Sequence, residues 1–538
     1  MQNQLARSGG KGLSLSGVVF QKAMTIAETP AIVDLESTIT YGALATSISK
    51  HSAALASVGV QPGDRVGVHF NKSAEGFIAM HAAVAVGAVA VPLDPSSPAT
   101  RLSDICQQMQ ITVISTHKPL RRSVEALHAL HPLRAVVGLD AALQGTEVVG
   151  PSEIQGLAGV APAKVSPDSL AYIVTTSGST GEPKGIAHTH QSALAYVDMA
   201  LGTYGLVEGD RVADVAPHHF DVSTLSLWAS PFAGATNVVV NEAYQRLPAS
   251  HSQLLENEAV TVWYGVPFLI QQLVLRGDLA NRNLDSLRWM LFGGEVVPPG
   301  IIAEMMKHAP NARFGNCFGP AEVNVVSNAI FDSPPDLDRP LSIGFANDQA
   351  EFRLIDPTQN SPESSHEVAP GEAGELWAAT PQLMDCYWAH DDLNSQVIKV
   401  VDGKRFYRTG DLVSADSTGQ LAFHGRVDHQ VKVRGFRVEL EGIEVELESL
   451  AQRTKTAESV VVSVLRKDSG EDEIVAGVLG ASPDFDGRKF LSGAASILPA
   501  HAVPERTVQL SAASYTGSGK LDRRNLRNQA VALAEEKT

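Results

Sequence analysis

One segment restricts the chain more than any other: Tyr172-Ile-Val-Thr-Thr-Ser-Gly-Ser-Thr-Gly-Glu-Pro-Lys-Gly-Ile-Ala187, an apolar run that enters a loop rich in hydroxyls and glycine and carrying a single lysine. Gly178, Gly181 and Gly185 permit close approach of the backbone to a ligand. Thr175, Thr176, Ser177, Ser179 and Thr180 supply hydroxyls, and Lys184 adds a point charge, the composition of a phosphate grip. The spacing G-x-x-x-x-G-K-[ST] of the common P-loop fails, because Pro183 occupies the place of its second glycine. Alone, so short a run reads equally well as a solvated turn between two strands.

A chain of 538 residues is too long for one ordinary core, so two or more domains are expected. The balance of 42 basic against 59 acidic residues, a net charge of −17, disfavours nucleic acid and anionic membrane as partners. Cys106, Cys317 and Cys386 are widely separated and odd in number, which suits a reducing cytoplasm and supplies no disulfide framework or zinc spacing. The first fourteen residues lack the apolar centre of a signal peptide. The longest apolar run, Ala82 to Leu93, is about half of what a bilayer span needs and reads as a buried helix end passing into a strand.

Strand-like runs at Arg65–Phe70, Ala88–Pro92, Ile111–Ser115 and Asn237–Val240 alternate with helical stretches such as Phe77–Val86, which argues for an α/β fold with layered, largely parallel sheets. From about Gly425 the pattern changes to a basic strand, an acidic helix over Glu441–Leu450, and strands at Ser459–Val464 and Ile474–Leu479. That reads as a small α+β domain of roughly 110 residues. The expected division is a large N-terminal α/β domain over 1–425 and a small C-terminal domain over 426–538. Asp356 to Ser365 is polar and turn-rich, an exposed loop.

The glycine-rich loop resembles the phosphate-binding segment of the adenylate-forming superfamily, which includes acyl- and aryl-CoA synthetases, luciferases and the adenylation domains of nonribosomal peptide synthetases. Further segments follow the family's order: Ile39-Thr-Tyr-Gly-Ala-Leu44, Ala90-Val-Pro-Leu-Asp-Pro95, Phe220-Asp-Val-Ser223, Asn316-Cys-Phe-Gly-Pro-Ala-Glu322, Gly374-Glu-Leu376, Tyr407-Arg-Thr-Gly-Asp-Leu412, Gly425-Arg-Val-Asp-His-Gln-Val-Lys-Val-Arg-Gly435 and Gly517-Ser-Gly-Lys-Leu-Asp-Arg523. The resemblance implies a small mobile C-terminal lid that turns about a hinge near 426–430, with Asp428 as the hinge residue.

It also implies activation of a carboxylate by ATP with Mg²⁺. The loop Thr176, Ser177, Gly178, Ser179, Thr180, Gly181 with Lys184 would hold the β- and γ-phosphates, and Glu322 would help to hold the metal. Asn316, Phe318 and Gly319 would border the nucleotide. Asp411 would accept hydrogen bonds from the ribose hydroxyls, Arg426 would lie near ribose and phosphate, and Lys520 would bridge the attacking carboxylate and the α-phosphate. The family's usual threonine before the glutamate is Ala321 here, so one hydroxyl donor is missing.

Asp221 bears on the kind of carboxylate. In the amino-acid-activating branch the matching aspartate pairs with the substrate ammonium, whereas read locally it could be a helix N-cap. The family's specificity positions fall on Asp221, Val222, Leu225, Tyr264, Leu291, Gly293, Cys317, Val325, Val326 and Lys520. An aliphatic wall with one tyrosine suits a compact apolar side chain. Together with Val262-Trp-Tyr-Gly-Val-Pro267 this pattern resembles stand-alone ligases that load L-proline onto a carrier protein. No carrier segment follows Asp522-Arg-Arg524, so the resemblance implies a separate phosphopantetheinylated carrier as acceptor. An acyl- or aryl-CoA ligase of the same fold and a D-alanine:carrier-protein ligase are the alternatives, and a non-catalytic adenylate binder is a more distant one.

Overall fold

The structure, a computed structural model, describes residues 15–35, 37–177, 182–357, 367–427, 430–467, 471–510 and 523–536. Among them, two large mixed sheets carry the N-terminal part. In one, Thr236–Val239, Arg211–Asp214, Val262–Gly265, Trp289–Gly293 and Arg313–Phe318 run parallel side by side. In the other, Val113–Thr116, Arg65–His69, Val89–Pro92 and Leu170–Ser177 are parallel neighbours. Parallel strands require crossover connections, and buried strands read as nearly continuous Val, Ile and Ala runs, as these do.

The crossovers include helices whose starts are written locally. Thr40 caps Tyr41–Ser57 through the Ala43 amide (3.3 Å), Ser73 caps Ala74–Ala85 through Gly76 (3.2 Å), and Thr189 caps His190–Tyr204 through Ser192 (3.1 Å). Ala74–Ala85 is apolar nearly all round, as a helix buried on every side must be. It shares one core with both sheets, through Ile32 and Val212 on one side and Val66 and Ala90 on the other.

The C-terminal part is a smaller α+β unit. The antiparallel pair Ser459–Leu465 and Glu473–Leu479, with Arg506–Leu510 added in parallel, is covered by a helix on each face. Side-chain alternation divides it: Val460, Val462, Ile474 and Ala476 meet Leu440–Thr454, while Val461, Val475 and Leu479 meet Arg523–Glu535. Arg527 Nε donates to Glu444 Oε1 (2.8 Å) and ties the two helices together at the sheet end.

The glycine-rich loop lies at the tip of a hairpin, since Leu170–Ser177 pairs antiparallel with Pro183–Thr189 and no helix opens behind it as in a P-loop. Residues 178–181, 358–366, Asp428 and Lys520 lie outside the described residues, so the expectations placed on Gly178, Ser179, Thr180, Gly181, the 356–365 loop, the hinge and the C-terminal lysine carry no structural description. Among the described residues no helix is long and apolar enough to cross a membrane.

Candidate active site

A cavity of about 990 Å³ lies between the N-terminal sheets and the C-terminal unit. Parallel strands deliver its floor from their carboxyl ends, where α/β sheets characteristically bind ligands. Tyr264, Gly293 and Cys317 stand at the ends of three adjacent strands, with Gly293 directly opposite Cys317. A Cβ on Gly293 would come within 2.2 Å of the Cys317 carbonyl oxygen, so only glycine permits this approach. Along the same strand Trp263 points the other way, into a separate core with Met290 and Phe292.

Asp221, Val222, Tyr264, Gly293, Cys317 and Val325 line the cavity. Leu225, Leu291 and Val326 do not: they are buried behind the wall, Leu225 and Leu291 in the core that holds Tyr264 and Val325, and Val326 beside Tyr387 and Tyr407. Asp221 heads a 3-10 turn, Asp221–Ser223, and its Oδ1 accepts from the Val222 amide (3.0 Å), one residue short of an N-cap bond. Burial pushes its carboxyl above the ordinary value, against the pull of Lys432.

At the other end of the cavity, Asp411 and Arg426 face each other across paired strands, with Arg426 Nη1 donating to Asp411 Oδ1 at 2.6 Å. Burial raises the Asp411 carboxyl and Arg426 opposes the rise. Thr176, Asn316, Phe318 and Gly319 also line the cavity. Asn316 Nδ2 donates to the Ser342 carbonyl (2.9 Å), and a Cβ on Gly319 would lie 1.8 Å from the Asn324 carbonyl oxygen.

The residues that sequence reading missed lie on a two-stranded ribbon, Gln430–Val433 and Phe436–Glu439. Its register sets Gln430 opposite Glu439 and Lys432 opposite Arg437, so one face carries four polar side chains while Val431, Val433, Phe436 and Val438 pack into the C-terminal core. The signal was present as polar residues at alternate positions. What it lacked was the location of the ribbon, which reaches over the cavity. Arg437 Nη1 donates to Glu322 Oε1 and Oε2 at 2.9 and 3.0 Å, and Tyr387 Oη donates to Glu322 Oε1 at 2.5 Å. Lys184 Nζ lies 3.4 Å from Glu439 Oε1, and Gly435 N donates to Glu295 Oε1 at 2.5 Å.

Glu322 is fully buried, yet Arg437 and the Tyr387 hydroxyl outweigh burial and hold its carboxyl below the ordinary value. Among the described residues no group of three or more His, Cys, Asp or Glu side chains could hold a metal. One ionised carboxylate fits a hard cation that takes its other ligands from phosphates and water, as Mg²⁺ does, once Arg437 has withdrawn.

The fold and the cavity define an adenylate-forming ligase, and comparison with known proteins agrees: residues 19–388 match the family model described as AMP-binding enzyme, and the chain belongs to that family and uses ATP. It is 32% identical to an L-proline--[L-prolyl-carrier protein] ligase of Pseudomonas fluorescens, over 93% of this chain and 96% of that protein. It is 31% identical to the phenyloxazoline synthase MbtB of a Mycobacterium species, over 93% of this chain but 41% of that longer protein. The amide bond synthetase McbA of Marinactinospora thermotolerans shares the fold, with a TM-score of 0.83 at 20% identity over 96% of this chain and 99% of that one.

Proposed function

We propose that the chain activates a small apolar amino acid, L-proline first, as its adenylate and then passes it to the phosphopantetheine thiol of a separate carrier protein in the cytoplasm. The observation that carries this is Asp221 at the cavity wall beside Val222, Tyr264, Gly293, Cys317 and Val325, none of which is charged. An ionised carboxylate next to an aliphatic recess offers a partner for one ammonium or iminium and none for a charged side chain. The similarity to the proline ligase, at nearly full length in both chains, supports the choice of proline.

In the first half-reaction the amino-acid carboxylate attacks the α-phosphorus and pyrophosphate leaves. Thr176 and Lys184, with the loop between them, hold the β- and γ-phosphates, Asp411 accepts from the ribose hydroxyls, and Arg426 keeps Asp411 ionised and oriented. Lys520 bridges carboxylate and α-phosphate. Mg²⁺, held at Glu322, neutralises phosphate charge when bound. In the second half-reaction the small domain, from about residue 426 and hinged at Asp428, presents its ribbon of Lys432 and Arg437 to the same cavity, and the thiol displaces AMP.

The test is intact-mass spectrometry of a phosphopantetheinylated carrier incubated with enzyme, ATP, Mg²⁺ and mixed amino acids, with coenzyme A as a parallel acceptor. A prolyl adduct on the carrier supports the reading. Loading of another small amino acid keeps the class and replaces the substrate, and acylation of coenzyme A by simple acids alone contradicts it.

A further inference from the structure

A second group of ionisable side chains lines the same cavity, apart from Asp221, Asp411 and Glu322. Asp94 follows strand Val89–Pro92, and its oxygens accept from Ser96 N (2.8 Å), Ser96 Oγ (2.7 Å) and Ser97 Oγ (3.3 Å). Held in this way, its Oδ1 lies 4.0 Å from Nε2 of His219. His219 immediately precedes Phe220 and Asp221. From the C-terminal unit His501 stacks on Phe436 (4.2 Å between rings, 9° apart), and Phe436 meets Phe220 edge-on at 5.0 Å. Asp94, His219, Phe220, Phe436 and His501 all face the cavity, and the three ionisable groups come from three distant segments.

Adenylation has no use for a base here, since its attacking carboxylate is already ionised. Thioester formation has one. A thiol with an ordinary pKa of about 8.5 is only a few per cent ionised near neutral pH, and the thiolate is the nucleophile. Burial drives the His219 imidazole below its ordinary value, although Asp94 pulls it back, so His219 is neutral and able to take a proton at neutral pH. Its ionisable surroundings are Asp94, Lys72, Glu242, His218, His69 and His501.

We propose that His219 is the proton acceptor for the incoming thiol, with Asp94 as its positioning carboxylate and His501 closing the station from the lid side. The inference rests on the carrier-ligase reading above. Asp94 beside Nε2 favours the tautomer protonated there, which leaves Nδ1 basic. The sulfur bonds to the carbonyl carbon of the aminoacyl adenylate, the carbon–oxygen bond to phosphate breaks, and AMP leaves with that electron pair. The thiol proton goes to Nδ1 of His219 and then to water. The station is complete only while the ribbon covers the cavity, because His501 and Phe436 arrive together.

The experiment compares two rates in the full-length enzyme: proline-dependent ATP–pyrophosphate exchange, and transfer from the enzyme-bound adenylate to a phosphopantetheinylated carrier, at pH 7 and at about pH 9.5, where the thiol ionises unaided. His219→Gln should lower the ratio of transfer to exchange about tenfold or more at pH 7 and recover at the higher pH. Asp94→Asn should show the same pH-dependent deficit to a smaller degree, and it decides the matter if His219→Gln does not fold. An unchanged ratio, or a deficit of equal size at both pH values, overturns the proposal. Wild-type enzyme that exchanges pyrophosphate with no amino acid overturns the carrier-ligase reading itself and the inference with it.

Discussion

Arg437 of the C-terminal ribbon donates to both carboxylate oxygens of Glu322, at 2.9 and 3.0 Å, in a pair where Glu322 is wholly shielded from solvent. Glu322 is also the carboxylate proposed for the metal, so the ribbon and a phosphate-bound cation compete for one group. Hydrogen exchange of residues 430–439 should therefore quicken when Mg²⁺ and a non-hydrolysable ATP analogue are added. Arg437→Met should quicken it without them, by about tenfold or more, because truncating one partner of a buried pair leaves the other uncompensated. Exchange that is indifferent to both would contradict the competition.

Asp221 carries a carboxyl raised by burial. A raised folded-state pKa means that the fold prefers the protonated form, so the ionised form costs stability once pH exceeds that value, and the cost is absent below the unfolded pKa. Asp221→Asn should thus raise the melting temperature of the ligand-free protein at pH 7 while abolishing amino-acid-dependent pyrophosphate exchange. In the wild type, KM for the amino acid should rise as pH falls through the raised value, at a higher pH than an ordinary carboxylate would give. A lower melting temperature in the variant would count against a binding role obtained at the expense of stability.

Lys72 is buried against Asp214 and also donates to the Ala216 carbonyl (2.7 Å), which fixes the start of the segment that carries His218, His219 and Asp221. Burial pushes the Asp214 carboxyl up, and Lys72 with His218 outweighs it and holds it below its ordinary value. A depressed carboxyl adds stability above its unfolded pKa and loses it as pH falls through the folded one. Lys72→Met should cost about 3–5 kcal/mol in denaturant unfolding at pH 7, with the deficit shrinking in acid. A much smaller change at pH 7 would show that the pair is not the fastening.

Ala321 faces the cavity where the family usually places threonine, and its carbonyl accepts from His188 Nε2 at 3.0 Å, which fixes the backbone. Ala321→Thr should raise kcat of adenylation severalfold, up to about tenfold for one hydroxyl bonded to a charged phosphate. No gain would show that another donor already serves there.

Much of this was legible in the sequence because the relevant information is local. The alternation of strand and helix, the caps at Thr40, Ser73 and Thr189, and the motif positions of Asp221 and Asp411 depend on neighbours a few residues away. The division of the wall was not legible: Leu291 and Gly293 share one strand, and only the strand's end point decides that Gly293 lines the cavity while Leu291 is buried behind it. Arg437 and Lys432 were missed because their partners, Glu322 and Asp221, are more than a hundred and two hundred positions away and are met only where the ribbon folds over the sheet ends. Asp94, His219 and His501 gather from three segments in the same way.

The most direct test of the central claim compares ATP–pyrophosphate exchange supported by L-proline with that supported by cyclopentanecarboxylate, its carbon isostere without the ring nitrogen. If Asp221 pairs with the substrate nitrogen, proline should be favoured by about a thousandfold or more, since the isostere would leave a buried carboxylate without its partner, and Asp221→Ala should erase most of that preference. Equal exchange with the two acids, unchanged in Asp221→Ala, would contradict the claim that this site selects amino acids.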